Sequence, residues 1–359
     1  MAAMKPNPAI ALPPDVTRLS MLLQTPAQDM PGAHAGEISS ADKSVVVIYA
    51  GFYRPGNESP ATRCLGRSAA VSRHGSAVGG YRLAELITAR DRGLPDAELC
   101  VWSPPSDVVN HVDGQWILTP VRLPLPARLC GPTHFFHIDM AFSFASSYIF
   151  WVDLLAGVLV CDLSSSPRFR FVPLPVGQEL SVPHKRRHQI KPELFRSMGC
   201  VRGAVKFVVM AGYTDDASCP RDDVTLRTWT LSPDFKEWKE EEGEAPALRV
   251  GDLWASESFA AMELPRVAPT CPVLSADEDA VVYAVLNDVE YEDDVDEFGD
   301  VVGVDLVPKA HYLIRLDLLR NKVLSCTRSE GSFDWLTPTI IASEFSAYVE
   351  DPKDHRAVA

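Results

Sequence analysis

The 359-residue sequence lacks every short motif that announces phosphate or acyl-transfer chemistry. G-x-x-x-x-G-K-[ST] and G-x-G-x-x-G, which cradle phosphates, are absent, as are H-E-x-x-H and G-x-S-x-G, which hold a zinc or a nucleophilic serine. No apolar run approaches the ~18 residues of a membrane helix. Residues 1–26 are broken by prolines and contain no unbroken apolar stretch, so neither a secretory leader nor an anchor is expected. The eight cysteines, Cys64, Cys100, Cys130, Cys161, Cys200, Cys219, Cys271 and Cys326, include no C-x-x-C pair, which favours reduced thiols in a cytoplasmic or nuclear protein over a disulfide framework. Positive charge is also scarce. Lys and Arg total 34 against 48 Asp and Glu, a net charge of −14 that repels phosphate backbones and anionic lipid, so no nucleic-acid or membrane partner is expected. The one basic run, "HKRRHQIK" at 184–191, has no interleaved aromatics to stack bases and reads as a solvated loop.

What the sequence does contain is short apolar runs rich in Val, Ile, Phe, Tyr and Trp, bounded by Pro, Gly, Asp and Ser, from Val45 onward. That is the signature of β-strands. Examples are "VVVIYAGFY", "ELCVWS", "WILTPVRL", "SYIFWVDL", "GVLVCDL", "FRFVPL", "AVKFVVMAG", "VTLRTWTL", "AVVYAVL" and "HYLIRLDL". "YRLAELITARDRG" reads equally as strand or helix, because Leu83, Leu86 and Ile87 share a 3.6-residue face. Residues 1–44 mix Pro, Ala, Gly and Ser without sustained periodicity and are expected as a disordered leader. "LPPDVTRLSMLL" at 12–23 has the flavour of an F-box opening, without the helical continuation an F-box needs. The expected organisation is a leader at 1–44, a β domain over 45–345 and a tail at 346–359.

Three segments look like copies of one another: "LVCDLSSSPRFRFVPLP", "RTWTLSPDFKEWKEE" and "IRLDLLRNKVLSCT". Each is a strand ending near Leu163, Leu231 or Leu318, then a polar turn, then a second strand. Repeated strand–turn–strand units predict an all-β fold, a β-propeller-like array of antiparallel strand meanders with few short helices. Their spacing is irregular and longer than the ~40–50 residues of kelch and WD-type periods. Either blades without the signature or long insertions lie between them. Seven tryptophans spread along the β-rich region fit blade packing.

"WVDLLAGVLVCDL", "RFRFVPLP", "GCVRGAVKFVVM" and "VTLRTWTLSPDFKEWKEE" together resemble the plant family known as domain of unknown function 1618, expanded in grasses. The matching positions are Trp151, Asp153, Gly157, Cys161, Asp162, Pro173, Pro175, Gly203, Lys206 and Phe207, within roughly residues 147–290. The resemblance implies a fold similar to F-box-associated and kelch-like propellers, with a ubiquitin-ligase link as its only implied partner. It brings no catalytic residues.

Candidate chemistry is thin. "THFFHIDM" offers His134, His137 and Asp139, but on a strand only His137 and Asp139 share a face. The acidic run 288–305 fails as a calcium loop, with Phe298 and Asp305 where ligands are required, and reads as a solvated insertion. Within it Glu290, Glu292, Asp293, Asp294, Asp296 and Glu297 form a candidate docking loop for a basic partner. Asp153, Asp162, Asp252 and Asp317 fall near predicted strand ends, where propeller glycosidases place paired carboxylates. Aspartate in a hairpin also bonds its own backbone, so turn duty is the expectation. No cofactor and no metal site are expected. The function expected is a non-enzymatic module that recognises another protein or a ligand, with a propeller-type hydrolase as the alternative.

Overall fold

The computed structural model describes residues 4–9, 18–23, 36–42, 45–50, 68–73, 80–88, 94–103, 115–183, 186, 190–213, 221–241, 247–295, 301–330 and 340–343. The chain divides into two compact units, one of residues 1–190 with 343–359 and one of residues 191–342.

In the first unit β1 (Met4–Ala9) pairs with β2 (Arg18–Leu23), and β3 (Gly36–Asp42) with β4 (Val45–Ala50). Two four-stranded antiparallel meanders follow. The first is β5 (Ala70–Arg73), β6 (Tyr81–Ile87), β7 (Asp96–Ser103) and β8 (Gln115–Arg122). The second is β9 (Met140–Phe144), β10 (Tyr148–Asp153), β11 (Gly157–Asp162) and β12 (Arg168–Pro173).

The second unit repeats the plan. β13 (Arg196–Val201), β14 (Ala204–Ala211), β15 (Thr225–Leu231) and β16 (Trp238–Glu240) form one meander, with β17 (Leu248–Arg249) added against β15. Two short helices, α1 (Val250–Ala255) and α2 (Glu257–Ala261), lead to the last meander. It consists of β18 (Thr270–Leu274), β19 (Val281–Val295), β20 (Val301–Asp317) and β21 (Lys322–Glu330). The fold is mostly β with antiparallel sheets, as expected. Each sheet is open, and the described strands define neither a closed barrel nor a closed propeller.

The three copies seen in the sequence are the outer hairpins of three meanders: β11–β12, β15–β16 and β20–β21. The first sheet has the equivalent hairpin, β7–β8, but a longer connection between Ser103 and Gln115 hides it from a repeat search. The irregular spacing also has a cause. The helices precede the last sheet, and β19 and β20 run far past their neighbours.

Packing follows the same repeat. In the first unit β5 and β9, the opening strands of the two meanders, lie against each other and against β3; in the second unit β13 lies against β18. Both meanders of the first unit feed one core, which includes Leu86, Leu99, Phe136, Ile149, Trp151 and Leu159. In the second unit Phe207 sits 5.9 Å from Trp229 and 6.1 Å from Trp238, ring centre to ring centre.

One expectation changes and two readings gain detail. Within residues 1–44 the described residues form β1, β2 and β3, and Arg18–Leu23 of the F-box-like stretch is a strand. β3 has no apolar period to betray it, because polar side chains tie it in: Ser40 Oγ accepts from the Val71 amide at 2.9 Å and Asp42 Oδ2 from the Arg73 amide at 2.6 Å. "YRLAELI" is strand β6, its Ala84 and Leu86 buried in the sheet core. The acidic run is not a loop through its length, since β19 extends to Val295 and β20 starts at Val301. Asp296, Glu297 and the Phe298 tested for calcium fall outside the described residues.

Gly157 opens β11 instead of occupying the turn, which Leu154, Leu155 and Ala156 make. A Cβ there would lie 2.6 Å from the Val172 carbonyl oxygen and 2.6 Å from the Phe171 ring, at a φ of +157°. Glycine is needed for close approach of β12. Gly157→Ala is therefore expected to cost about 2–4 kcal/mol, as overpacking against backbone does. Urea unfolding of the variant measures it, and a loss under ~0.5 kcal/mol would show that β12 yields freely.

Candidate functional site

The motif residues on β10–β12 surround a hairpin, not a cavity. Trp151 is fully buried; its indole N–H donates to the Ser68 carbonyl at 2.8 Å and its ring stacks on Phe169. Asp153, also fully buried, closes the turn. One carboxylate oxygen accepts from the Leu155 amide and the other from the His137 amide, both at 2.9 Å. Asp139 completes a second clasp on the same turn: its Oδ2 accepts from the Leu154 amide at 2.7 Å and its amide donates to the Val152 carbonyl at 2.8 Å. Each oxygen offers what a turn's unpaired amides require.

His137 and Asp139 do come together, with Nδ1 3.1 Å from Oδ1, while His134 bonds its neighbour Thr133. Among the described residues no group of three or more His, Cys, Asp or Glu could hold a metal.

Asp162 lies at the far end of β11. Its Oδ1 accepts from the Ser164 amide at 2.9 Å and its Oδ2 from Arg168 at 3.1 Å. The bonds to Ser164 lead in holding its carboxyl below the ordinary value, with Arg168 adding to them. The pairing register sets Asp153 opposite Gly157 and Asp162 opposite Tyr148, the two ends of β11. At ~3.4 Å per residue the two are roughly 17 Å apart along the strand, well beyond the ~5–9.5 Å of a glycosidase pair.

Asp317 repeats the turn role at β20–β21, accepting from the Leu319 and Arg320 amides, both at 3.0 Å. Ser232 does the same at β15–β16 with the Lys236 and Glu237 amides. Asp252 is not at a strand end; it lies in the first turn of α1.

Three more motif residues, Gly203, Lys206 and Phe207, lie in the second unit. Arg202 and Gly203, at φ +48° and +78°, make the two-residue turn from β13 to β14, a geometry that glycine fits without strain. Lys206 follows on β14, its side chain only 9% exposed, with Nζ 2.6 Å from Glu241 and 3.1 Å from Asp279. Thr228 and Thr230 donate to Glu241, and Arg202 reaches Asp279 at 3.2 Å. The Arg202 amide also donates to the Ala276 carbonyl. This polar latch fastens the β13–β14 turn to the β18–β19 turn. Pro173 ends β12, and the Pro175 carbonyl accepts from the Gln178 amide in the turn after it.

Sequence reasoning missed Asp139 as a clasp, and Glu241 and Asp279 as partners of Lys206. No local pattern could have found the last two, which lie 35 and 73 residues away in the chain. Burial pushes the Cys161 thiol up to about 12 and the Cys271 thiol up to about 11, which leaves these two poor nucleophiles.

The model of a family described as protein of unknown function (DUF1618) matches residues 151–283. The match begins at Trp151 and covers Asp153, Gly157, Cys161, Lys206 and Phe207, which supports the resemblance read from those residues. No curated protein and no solved structure matches the chain.

Glu241 supplies a pH test of the latch. Burial pushes its carboxyl up, but Lys206 and the two threonine hydroxyls outweigh that and hold it below 4.5. A depressed folded-state value stabilises the fold in full above about pH 4.5 and is lost as pH falls through the lower value. Lys206→Met is expected to flatten that acid-side slope and to cost about 1–3 kcal/mol at pH 7, since both carboxylates are partly solvated. Urea unfolding across pH 3–7 reads both. At pH 8, iodoacetamide is expected to leave Cys161 and Cys271 unmodified in the native protein and to label them after denaturation, as read by peptide mass spectrometry.

Proposed function

We propose that the protein is a non-enzymatic recognition module of the DUF1618 type, its four meanders serving as blades of a propeller-type scaffold that presents connecting segments to another protein or a ligand. One observation carries this reading: the carboxylates that a hydrolase of this architecture would need are occupied in hairpins. Asp153, Asp162 and Asp317 each accept backbone amides of their own turns, and Asp153 on β10 and Asp162 on β11 stand at opposite ends of their hairpin. An acid and a nucleophile or base must converge on one bond.

The blade reading is supported by the four-fold recurrence of the meander and by the way opening strands meet within each unit. Buried, unpaired thiols such as Cys161 and Cys271 support a reducing compartment, the cytoplasm or nucleus of a plant cell. A tie to ubiquitin ligases rests on the family resemblance alone.

The test is a pair of measurements on the full chain: capture of a near-stoichiometric partner from plant tissue, and turnover of a panel of aryl glycosides. The expected result is a reproducible partner and no turnover above buffer. Turnover that disappears in Asp162→Asn, with the unfolding midpoint retained, would establish the hydrolase instead.

A further inference from the structure

β19 and β20 outrun the sheet they belong to. β18 pairs with β19 only between Val282 and Val285, and β21 pairs with β20 only between Ala310 and Asp317. From Val289 to Val295 and from Val301 to Lys309 the described residues therefore form a ribbon of two strands. The latch between the β13–β14 and β18–β19 turns lies at one end of this unit's sheets. β19 runs away from that end, so the ribbon leaves at the opposite one.

A two-stranded ribbon is marginal in water by itself, and each of its outer edges presents a row of unpaired N–H and C=O groups. Natural edges are blunted by charged side chains, lysine above all, by proline, by bulges or by a covering segment. Along β19 from Val289 to Val295 there is neither lysine nor proline. Its charge is instead of one sign. Between residues 288 and 309 the chain carries nine carboxylates and one base, Lys309, which is taken by Glu290 at 2.8 Å. Glu290, Glu292 and Asp293 are exposed. The backbone register sets Glu292 opposite Asp305. Bulges at Asp288/Val289 and Asp294/Val295 bracket this stretch.

The occupant that answers both deficits is an extended chain carrying positive charge. Its backbone fills the open edge and its cations relieve the repulsion. A second copy of the protein brings the same negative ribbon and is repelled, as are nucleic acid and anionic lipid. Resting on the recognition-module reading above, we propose that a lysine- and arginine-rich extended segment of a partner protein adds as a third strand along β19 between Val289 and Val295. Its cations lie against Glu290, Glu292 and Asp293.

The test uses the full-length protein and a fluorescein-labelled decapeptide of alternating Lys and Thr, read by fluorescence anisotropy. Two control peptides accompany it, one with alternate backbone amides N-methylated and one of alternating Glu and Thr. Expected are saturable binding of the Lys–Thr peptide and at least a tenfold loss on N-methylation, since charge is kept while the ladder is blocked. No binding is expected for the Glu–Thr peptide. Raising salt from 50 to 300 mM weakens binding severalfold. The triple variant E290K/E292K/D293K loses at least tenfold, and the milder E292Q, which keeps the fold if the triple variant does not, loses two- to fivefold.

Equal binding of the N-methylated peptide would reduce the site to non-specific charge and overturn strand addition. Absence of binding, or binding indifferent to both variants, would overturn it outright. If plant tissue yields a stoichiometric partner that the triple variant retains, the ribbon proposal fails while the recognition-module reading stands. If the wild type yields neither partner nor peptide binding, both fail.

Discussion

Antiparallel hydrogen bonding between strands that are neighbours in the sequence is the interaction on which everything else in this protein rests. Along the main path of each of the four meanders every described strand pairs with the next in the chain, so each sheet closes short connections and needs no long crossover. Because the pairing is local, each meander can tolerate a different connection. The last has two helices before it and a pair of strands far longer than their neighbours, and the first has a longer connection between Ser103 and Gln115. The insertions alter spacing without altering pairing.

Tight hairpins leave amides unpaired at their bends, and that demand decides where the carboxylates go. Asp153 and Asp139 divide the amides of one bend between them, while Asp162 and Asp317 serve two others. A carboxylate that already accepts two backbone amides in a buried turn is poorly placed to exchange protons with a substrate. The same residues that suggest a hydrolase on paper are those the hairpins consume. Lys206 shows the parallel case for a cation: its ammonium joins two turns of one unit through Glu241 and Asp279 and leaves no open charge for chemistry.

The β19–β20 ribbon stands apart from this economy. There the acids outnumber their one base and the strands lie beyond the cover of β18 and β21. That surplus is what the proposed strand addition would relieve.

The sequence by itself determined the strand content, the hairpin repeats and the absence of a catalytic motif, because a period of two and a turn residue such as Asp162 or Asp317 act over a few residues. The short polar strand β3 escaped that reading, since Ser40 and Asp42 join it to β5 by side-chain bonds without any apolar alternation. The length of β19 escaped it for the opposite reason, acids masking the alternation that carries the strand to Val295. Only tertiary structure decided that Asp153 and Asp162 stand at opposite ends of the β10–β11 hairpin, and that Lys206 meets carboxylates 35 and 73 residues away. Those facts depend on register and on sheet packing within a unit, which bring together residues that share no local pattern.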